Sequence, residues 1–480
     1  MWLSWLLAAQ ARPLTLSEAV ATAVVNHPDV VDAQWLRARA EARLAAARAS
    51  SDPTWTASGS TDTSESAGFV AGYASSSERS GWDTTSGLQG ELPTGTRWSV
   101  ELGLTHDRTT TTSALGGVPS TLEQSTWSSA VGVDASQDLL AFLRASDPAR
   151  VRRTAAESLS SAELALVRSM DGAVAATAEA WWAWWTADAA RGVAERSFEQ
   201  AAALVQRTEQ WFEAGEVARL EVDRVTAERL GAERDLLRAQ AAVRASADAL
   251  LVAMGAEPGQ EIEPAGPERL WVSDPPDLET ARADAVAGNL DLAEQQLALE
   301  AALAAAGDAR DDRLPALNLT GSVGLSTLAD APGAAVTQLG TADDQPRASV
   351  ALDLAVPLGG RAARASRDDA ETEVSRLRSR RDAVARSLDA EVRAAVDAWT
   401  TADRGVGLAE ARVVVARATE DGEQARVDEG VRRLDEWLDA VAARESAEAD
   451  AVGARVERAS AELALARLGG RALAEAVDVE

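Results

Sequence analysis

Leu16-Ser-Glu-Ala-Val-Ala-Thr-Ala-Val-Val-Asn-His-Pro-Asp29 and Leu278-Glu-Thr-Ala-Arg-Ala-Asp-Ala-Val-Ala-Gly-Asn-Leu-Asp291 are two versions of one segment, set 262 residues apart. The correspondence runs without a gap to Pro53 and Pro315. Farther along, Trp184-Trp-Thr-Ala-Asp188 matches Trp399-Thr-Thr-Ala-Asp403, and Gly215 matches Gly430, now 215 residues apart. Self-similarity of this kind means one structural plan used twice, and it fixes which segments are equivalent before any local reading. The drop in spacing puts an insertion of 47 residues in the first half, between Pro53 and Trp184.

Each copy reads as a short helix, a Gly/Ser/Thr-rich section and a very long helical section without interior proline. In the second long section Leu388, Ala395, Ala402 and Ala409 recur every seven residues, as do Val392, Trp399, Val406 and Val413 four residues later. Two interleaved heptad rows are the signature of coiled-coil packing. Alanine in the seam lets helices approach closely, while Arg393, Asp397 and Asp403 fall between the rows. As helix, Pro148 to Gly215 spans roughly 100 Å and the return to Met254 only about 60 Å at 1.5 Å per residue. The short helix from Leu16 to Ala49, roughly 50 Å long, fills the deficit when stacked on the return arm. Each half therefore predicts two rods, one continuous and one broken.

The Gly/Ser/Thr sections have period two. Arg97 to Thr105 sets Trp98, Val100, Leu102 and Leu104 on one face; 317–325 and 347–356 alternate in the same way. Such strands suit a membrane barrel with a lipid face and a wet lumen, with Trp55, Trp82, Trp98 and Trp127 as interfacial girdles. A soluble antiparallel sheet would alternate alike. Four rods and a few strands close neither a barrel nor a tunnel, so cyclic assembly is required.

Composition narrows the function. The 480 residues carry 47 basic and 76 acidic side chains, a net charge of −29, which excludes a nucleic-acid binder held by a basic surface. Cysteine is absent, removing disulfides, thiolate metal sites and a lipidated N-terminal cysteine. His27 and His106 are the only histidines, and neither has a metal-ligand neighbour at useful spacing. No phosphate loop, nucleophile elbow or catalytic dyad is present, so neither an enzyme nor a cofactor is expected. No apolar run is long enough for a membrane-spanning helix. Residues 1–11, ending Ala9-Gln-Ala11, read as a short signal segment without a basic start, or as a frayed apolar terminus.

In this order the motifs resemble the TolC-like outer-membrane efflux protein family, the outer-membrane factors. They are Leu16-Ser-Glu-Ala with Asn26-His-Pro28, Ala47 to Pro53, Gln137-Asp-Leu-Leu140, Val356-Pro-Leu-Gly-Gly-Arg361, and the glycine turns at Ala214-Gly215 and Glu429-Gly430. The resemblance covers 16–468 and implies a mainly α fold with a β section. Long antiparallel coiled-coil hairpins in two repeats would join strands of a shared trimeric, 12-stranded barrel in the outer membrane, above a periplasmic tunnel. The implied partners are two further copies (a homotrimer), outer-membrane lipid, a periplasmic adaptor (membrane fusion) protein and an inner-membrane transporter of resistance-nodulation-division or ABC type. The expected divisions are a signal segment 1–11, short helix 12–51, strands and extracellular loop 52–140, long hairpin 141–254 and linker 255–276. The second repeat follows as short helix 277–313, strands 314–358, long hairpin 359–470 and tail 471–480. One departure stands out: 52–140 holds four strand-like stretches, with a turn near Leu92-Pro-Thr-Gly95-Thr96, where the family plan needs two.

The resemblance also assigns residues. Glu436 and Asp439 match the acidic ring that narrows the periplasmic entrance, and three copies would set six carboxylates around a lumen, favouring cations. On composition alone any such pair is a solvated helix face. Glu221 and Arg432 are candidate links between the two tips, and Gly215 and Gly430 candidate turn glycines, since glycine takes positive φ without strain. Trp181, Trp182, Trp184 and Trp185 read as a packing girdle rather than a ligand platform, because Trp181 and Trp185 share one helix face. The rival reading of the whole chain is a periplasmic coiled-coil scaffold or adaptor with no barrel.

Overall fold

The computed structural model describes residues 12–70, 73–115, 118–140, 146–265, 276–340, 345–356, 358–428 and 434–471. The expected signal segment therefore lies outside the described residues, as do Gly430 and Arg432. The first half runs β1 (Arg12–Leu14), α1 (Leu16–Asn26), α2 (Pro28–Ala49), β2 (Thr54–Val70), β3 (Tyr73–Glu91), β4 (Arg97–Leu115), β5 (Val118–Asp138), α3 (Asp147–Glu213) and α4 (Arg219–Ala253). The second runs β6 (Ile262–Pro264), α5 (Leu278–Gly288), α6 (Leu290–Asp311), β7 (Ala316–Ala329), α7 (Pro332–Thr337), β8 (Gln345–Ala355), α8 (Arg361–Asp428) and α9 (Leu434–Leu468). The bounds of α1 and α2 recur in α5 and α6 after 262 residues, and those of α4 recur in α9 after 215. Among the described residues no helix is long and apolar enough to cross a membrane.

The chain divides into two compact units. One, built from 39–159 and 299–376, contains a single antiparallel sheet in the order β2-β3-β4-β5-β7-β8. The fold is mainly helical with a β section, as expected, but among the described residues this sheet has six strands rather than the four per chain that twelve strands in three copies would require. The surplus in 52–140 is two further full strands. Its Leu92–Thr96 turn, closed by the Leu92 N–H on the Thr96 carbonyl at 2.8 Å, packs beside Ser146 at the start of α3, whose hydroxyl donates to the Pro93 carbonyl.

Among its described residues the other unit, 1–38 with 160–298 and 377–480, has helices and the short parallel pair β1–β6. This pair ties part of the 255–276 linker to Arg12–Leu14. Its core sets Leu16 and Val20 of α1 against Val174, Trp181 and Trp184 of α3, Leu250 of α4 and Leu463 of α9. Trp181 and Trp184 are fully buried, and Trp181 stacks on Trp185. A second cluster repeats the arrangement, Ala281 and Ala285 of α5 lying against Leu388 and Val392 of α8. Both heptad rows of α8 are buried or half-buried, and Arg393 and Asp397 are exposed.

Local sequence explains the short helices. Thr15 and Glu18 cap α1 reciprocally, each side chain bonded to the other's backbone N–H. Pro28 then opens α2, where a missing N–H costs nothing. In the second copy Asn289 makes the break instead, its side chain accepting from the Leu292 N–H. The return arms arrive at these breaks. Gly255 ends α4 at φ 70° and Gly470 ends α9 at φ 66°. In each case the next residue's N–H reaches back into the last helical turn, Ala256 to Leu251 and Arg471 to Ala466. A Cβ at Gly255 would overlap the Asn26 carbonyl, and one at Gly470 the Gly288 carbonyl.

Gly255→Ala and Gly470→Ala are each expected to cost at least the ~1–2 kcal/mol that a Cβ carries in left-handed backbone. Gly231→Ala and Gly453→Ala, in open space within α4 and α9, should instead add up to about 1 kcal/mol. Far-UV circular dichroism melts of the purified protein separate the two pairs.

Candidate functional site

Two places combine exposure with ordered chemistry: the faces of the sheet, and the region where α3, α4, α8 and α9 approach their turns. Residues paired across antiparallel strands share a face, so the register sorts the sheet into rows. Trp55, Leu88, Val100, Val133, Val323 and Ala348 pair in succession from β2 to β8. The first five are exposed large hydrophobics, Val323 at 63%. One position along, Thr54, Gln89, Ser99, Asp134, Ser322 and Ser349 make the row on the opposite face. A sheet with an apolar exposed side and a polar exposed side has the wall pattern of a membrane barrel.

Aromatic residues bound the apolar side. Trp82, His106 and Trp127 are in mutual ring contact, with His106 and Trp127 centroids 4.2 Å apart. Trp98 lies eight residues from His106 along β4, or about 26 Å at ~3.3 Å per residue, matching the ~25 Å band expected between two girdles. Gly90 leaves room for the Trp98 ring, which a Cβ there would press at 3.0 Å. Short helix α7 covers the row next to the cluster, where buried Ser129 donates to the Ala335 carbonyl at 2.5 Å.

At the first hairpin turn Gly215 stands at φ 79°, and the Glu216 N–H closes back onto the Trp211 carbonyl at 2.8 Å. That is the left-handed cap expected of a turn glycine. Glu221, half-buried in the first turn of α4, sits where the helix dipole favours a carboxylate. Its expected partner Arg432 is among the residues not described. Glu436 and Asp439 are both exposed in the first turns of α9, three residues apart and so on one side. Trp437 and Val441 point the other way, into a small cluster with Leu204 of α3 and Val225 of α4.

Sequence reasoning missed the polar contacts that join the two hairpins. Arg196 of α3 pairs with Glu448 of α9 at 2.7 Å, and Ser197 donates to Glu445. Arg417 of α8 reaches the same Glu448 at 2.9 Å. Buried Arg444 of α9 holds Glu420 of α8 at 2.6 Å and Glu448 at 3.5 Å. No spacing marks these residues out among so many charges; only the packing of three helices collects them. Their environments push the two carboxyls apart. Burial holds Glu420 above the ordinary glutamate value, with Asp421, Glu445 and Glu448 adding to it and Arg444 opposing. Burial acts on Glu448 too, but Arg417, Arg444 and Arg196 outweigh it and hold it low.

The signs are opposite. Glu448 contributes stability above the ordinary value of 4.5 that is lost as pH falls through its lowered one. Glu420 carries a penalty at neutral pH that is relieved as pH falls through its raised one. Glu448→Gln is therefore expected to destabilise more than Glu420→Gln at pH 7, with the gap closing below pH 4.5. Arg444→Ala, which strands Glu420 while Arg417 and Arg196 still hold Glu448, should cost roughly 3–5 kcal/mol. Urea unfolding at several pH values measures all three.

Residues 282–471 match the family described as Outer membrane efflux protein. No curated protein matches the sequence. Among solved structures, CusC is 17% identical with a TM-score of 0.67 over 95% of this chain and 92% of its own. VceC from Vibrio cholerae is 15% identical at 0.66, covering 95% and 96%, and the Campylobacter jejuni CmeC outer membrane channel is 14% identical at 0.64, covering 98% and 90%. At these identities the likeness is one of fold. The family match spans the second repeat, and the likeness in fold extends over nearly the whole chain.

Proposed function

We propose that this protein is the outer-membrane exit duct of a tripartite efflux or type I secretion system, passively conducting substrates from the periplasm or an inner-membrane pump to the exterior. The sheet lies in the outer membrane and the helical hairpins form a periplasmic tunnel. The observation that carries this reading is the sheet with an apolar exposed face bounded by tryptophans and a polar face behind it. A scaffold or adaptor confined to the periplasm has no use for such a face. The duct works as a homotrimer with a periplasmic adaptor protein and an inner-membrane transporter of resistance-nodulation-division or ABC type.

Glu436 and Asp439 form the acidic entrance ring in this reading. Their exposure opposite buried Trp437 supports it, because three copies then present six carboxylates to one lumen. Gly215 and Gly430 turn the hairpins at that entrance, with Glu221 and Arg432 as links between them.

Cell fractionation and native mass test the assembly. The expected species is an outer-membrane particle of three 50.2 kDa chains after subtracting detergent, whereas a detergent-independent monomer would return the chain to the scaffold reading. Leu102→Arg on the apolar face should cost ~2–4 kcal/mol in urea unfolding from lipid vesicles, and Ser99→Arg on the polar face close to nothing. In planar-bilayer recordings Glu436→Ala/Asp439→Ala should relieve block by polyvalent cations. Unchanged block would remove the ring.

A further inference from the structure

The surplus strands are β3 and β4: Tyr73–Leu115 supplies 43 of the 47 residues that the first half carries beyond the second. Without them β2, which starts at Thr54 as β7 starts at Ala316, would be followed by β5, which runs into α3 as β8 runs into α8. The insertion has not been set aside from the sheet. β3 pairs with β2 from Thr54–Gln89 to Val70–Tyr73, and β4 pairs with β5 from Arg97–Ser136 to Leu115–Val118. Both inserted strands carry the lipid-side pattern: Leu88 and Trp82 on β3, Val100 and Leu102 on β4. Leu88 and Val100 sit in the same row as Val133 and Val323, Leu102 in the row of Val131, and Trp82 in that of His106 and Trp127, and the opposite face stays polar.

The sheet ends in two open edges. β2 presents 17 residues without a proline, and every residue of β8 is exposed. In hydrocarbon each unpaired backbone group costs several kcal/mol, so both edges need strands. A second copy supplies them: β2 runs away from α2 and β8 runs toward α8, so the two meet antiparallel in a ring of like subunits. Resting on the trimeric duct reading, we propose that β2 of each copy pairs with β8 of the next, and that three copies close a barrel of eighteen strands rather than twelve. Because barrel diameter grows roughly linearly with strand number, the exit bore is about one and a half times that of a twelve-stranded wall. Size selection then falls to the helical tunnel rather than to the barrel.

The chain has no cysteine, so introduced pairs report cleanly. A first pair, Ser58→Cys/Thr85→Cys, reads β2–β3 contact within a chain, where the two hydroxyls are 2.7 Å apart. Single cysteines at Ser58, Ser60 or Asp62 of β2, each combined with one at Ser349, Ala351 or Asp353 of β8, read contact between copies. The full-length protein is oxidised in outer membranes and run denatured. Within-chain β2–β3 bonds together with covalent dimers and trimers through β2–β8 are the expected result. A trimer whose β8 links instead to a cysteine at Thr105 of β4 in the next copy, or whose β2 links to β5 and not β3, would overturn the proposal while leaving the duct intact. A soluble monomer would defeat the duct reading itself. Excision of 71–117 gives a second measure: the end-on barrel diameter in projection images should fall by about a third, and an unchanged diameter would count against the inserted strands lying in the wall.

Discussion

A strand edge in hydrocarbon has no water to take its N–H and C=O groups, and the rest of this molecule follows from that constraint. Five ladders satisfy the interior of the sheet, and none is available within one chain for the outer edges of β2 and β8. The chain cannot therefore be a finished membrane object, and its surfaces are those of a part. Val350 on β8 is 79% exposed, a poor state for a valine in water and an ordinary one against lipid. In the proposed duct the polar row through Ser99 and Asp134 meets an aqueous lumen.

The helical unit is stabilised unevenly. Around Trp181 and Trp184 a broad apolar core joins α1, α3, α4 and α9, and the glycine ends of the return arms lock against the breaks in the short helices. Toward the turns the apolar contact shrinks to Leu204, Val225, Trp437 and Val441, and ion pairs around Arg444 and Glu448 take over. Local opening costs least where buried apolar contacts are few. Charged contacts can also be exchanged for water or a partner's charges without exposing a large apolar surface. In the proposed duct, a wall that holds while its entrance opens needs that gradient.

What the sequence disclosed depended on periodicity. The heptad rows through Leu388 and Val392 and the alternation through Trp98 to Leu104 are direct images of packing, so helices and strands were legible. The glycine turn at Gly215 was legible because its segment recurs at Gly430. Gly255 and Gly470 were equally periodic but passed unnoticed, since nothing in one dimension says that Asn26 and Gly288 lie against them. The Arg444 cluster was illegible for the same reason: it gathers residues from α3, α8 and α9 that no local pattern connects. The strand count was half legible. Four strand-like stretches were visible in 52–140, but the family's two-strand plan outweighed them, and only the register puts all four in one sheet.

That register also explains why the duplication tolerates this insertion. In an antiparallel sheet each strand reverses the chain, so one added strand would deliver β5 to the wrong end and α3 could not follow. Two added strands restore the direction. The inserted hairpin turns at Leu92–Thr96, beside Ser146 and Gln137 on the side where the helices begin. Every helix-to-strand junction of the first half is thus left as it stands in the second, with α2 entering β2 as α6 enters β7. The helical arms could stay matched in length, 35 residues each in α4 and α9, while the sheet widened. In the proposed eighteen-stranded barrel, a wider bore thus comes without any change in the connectivity of the helices.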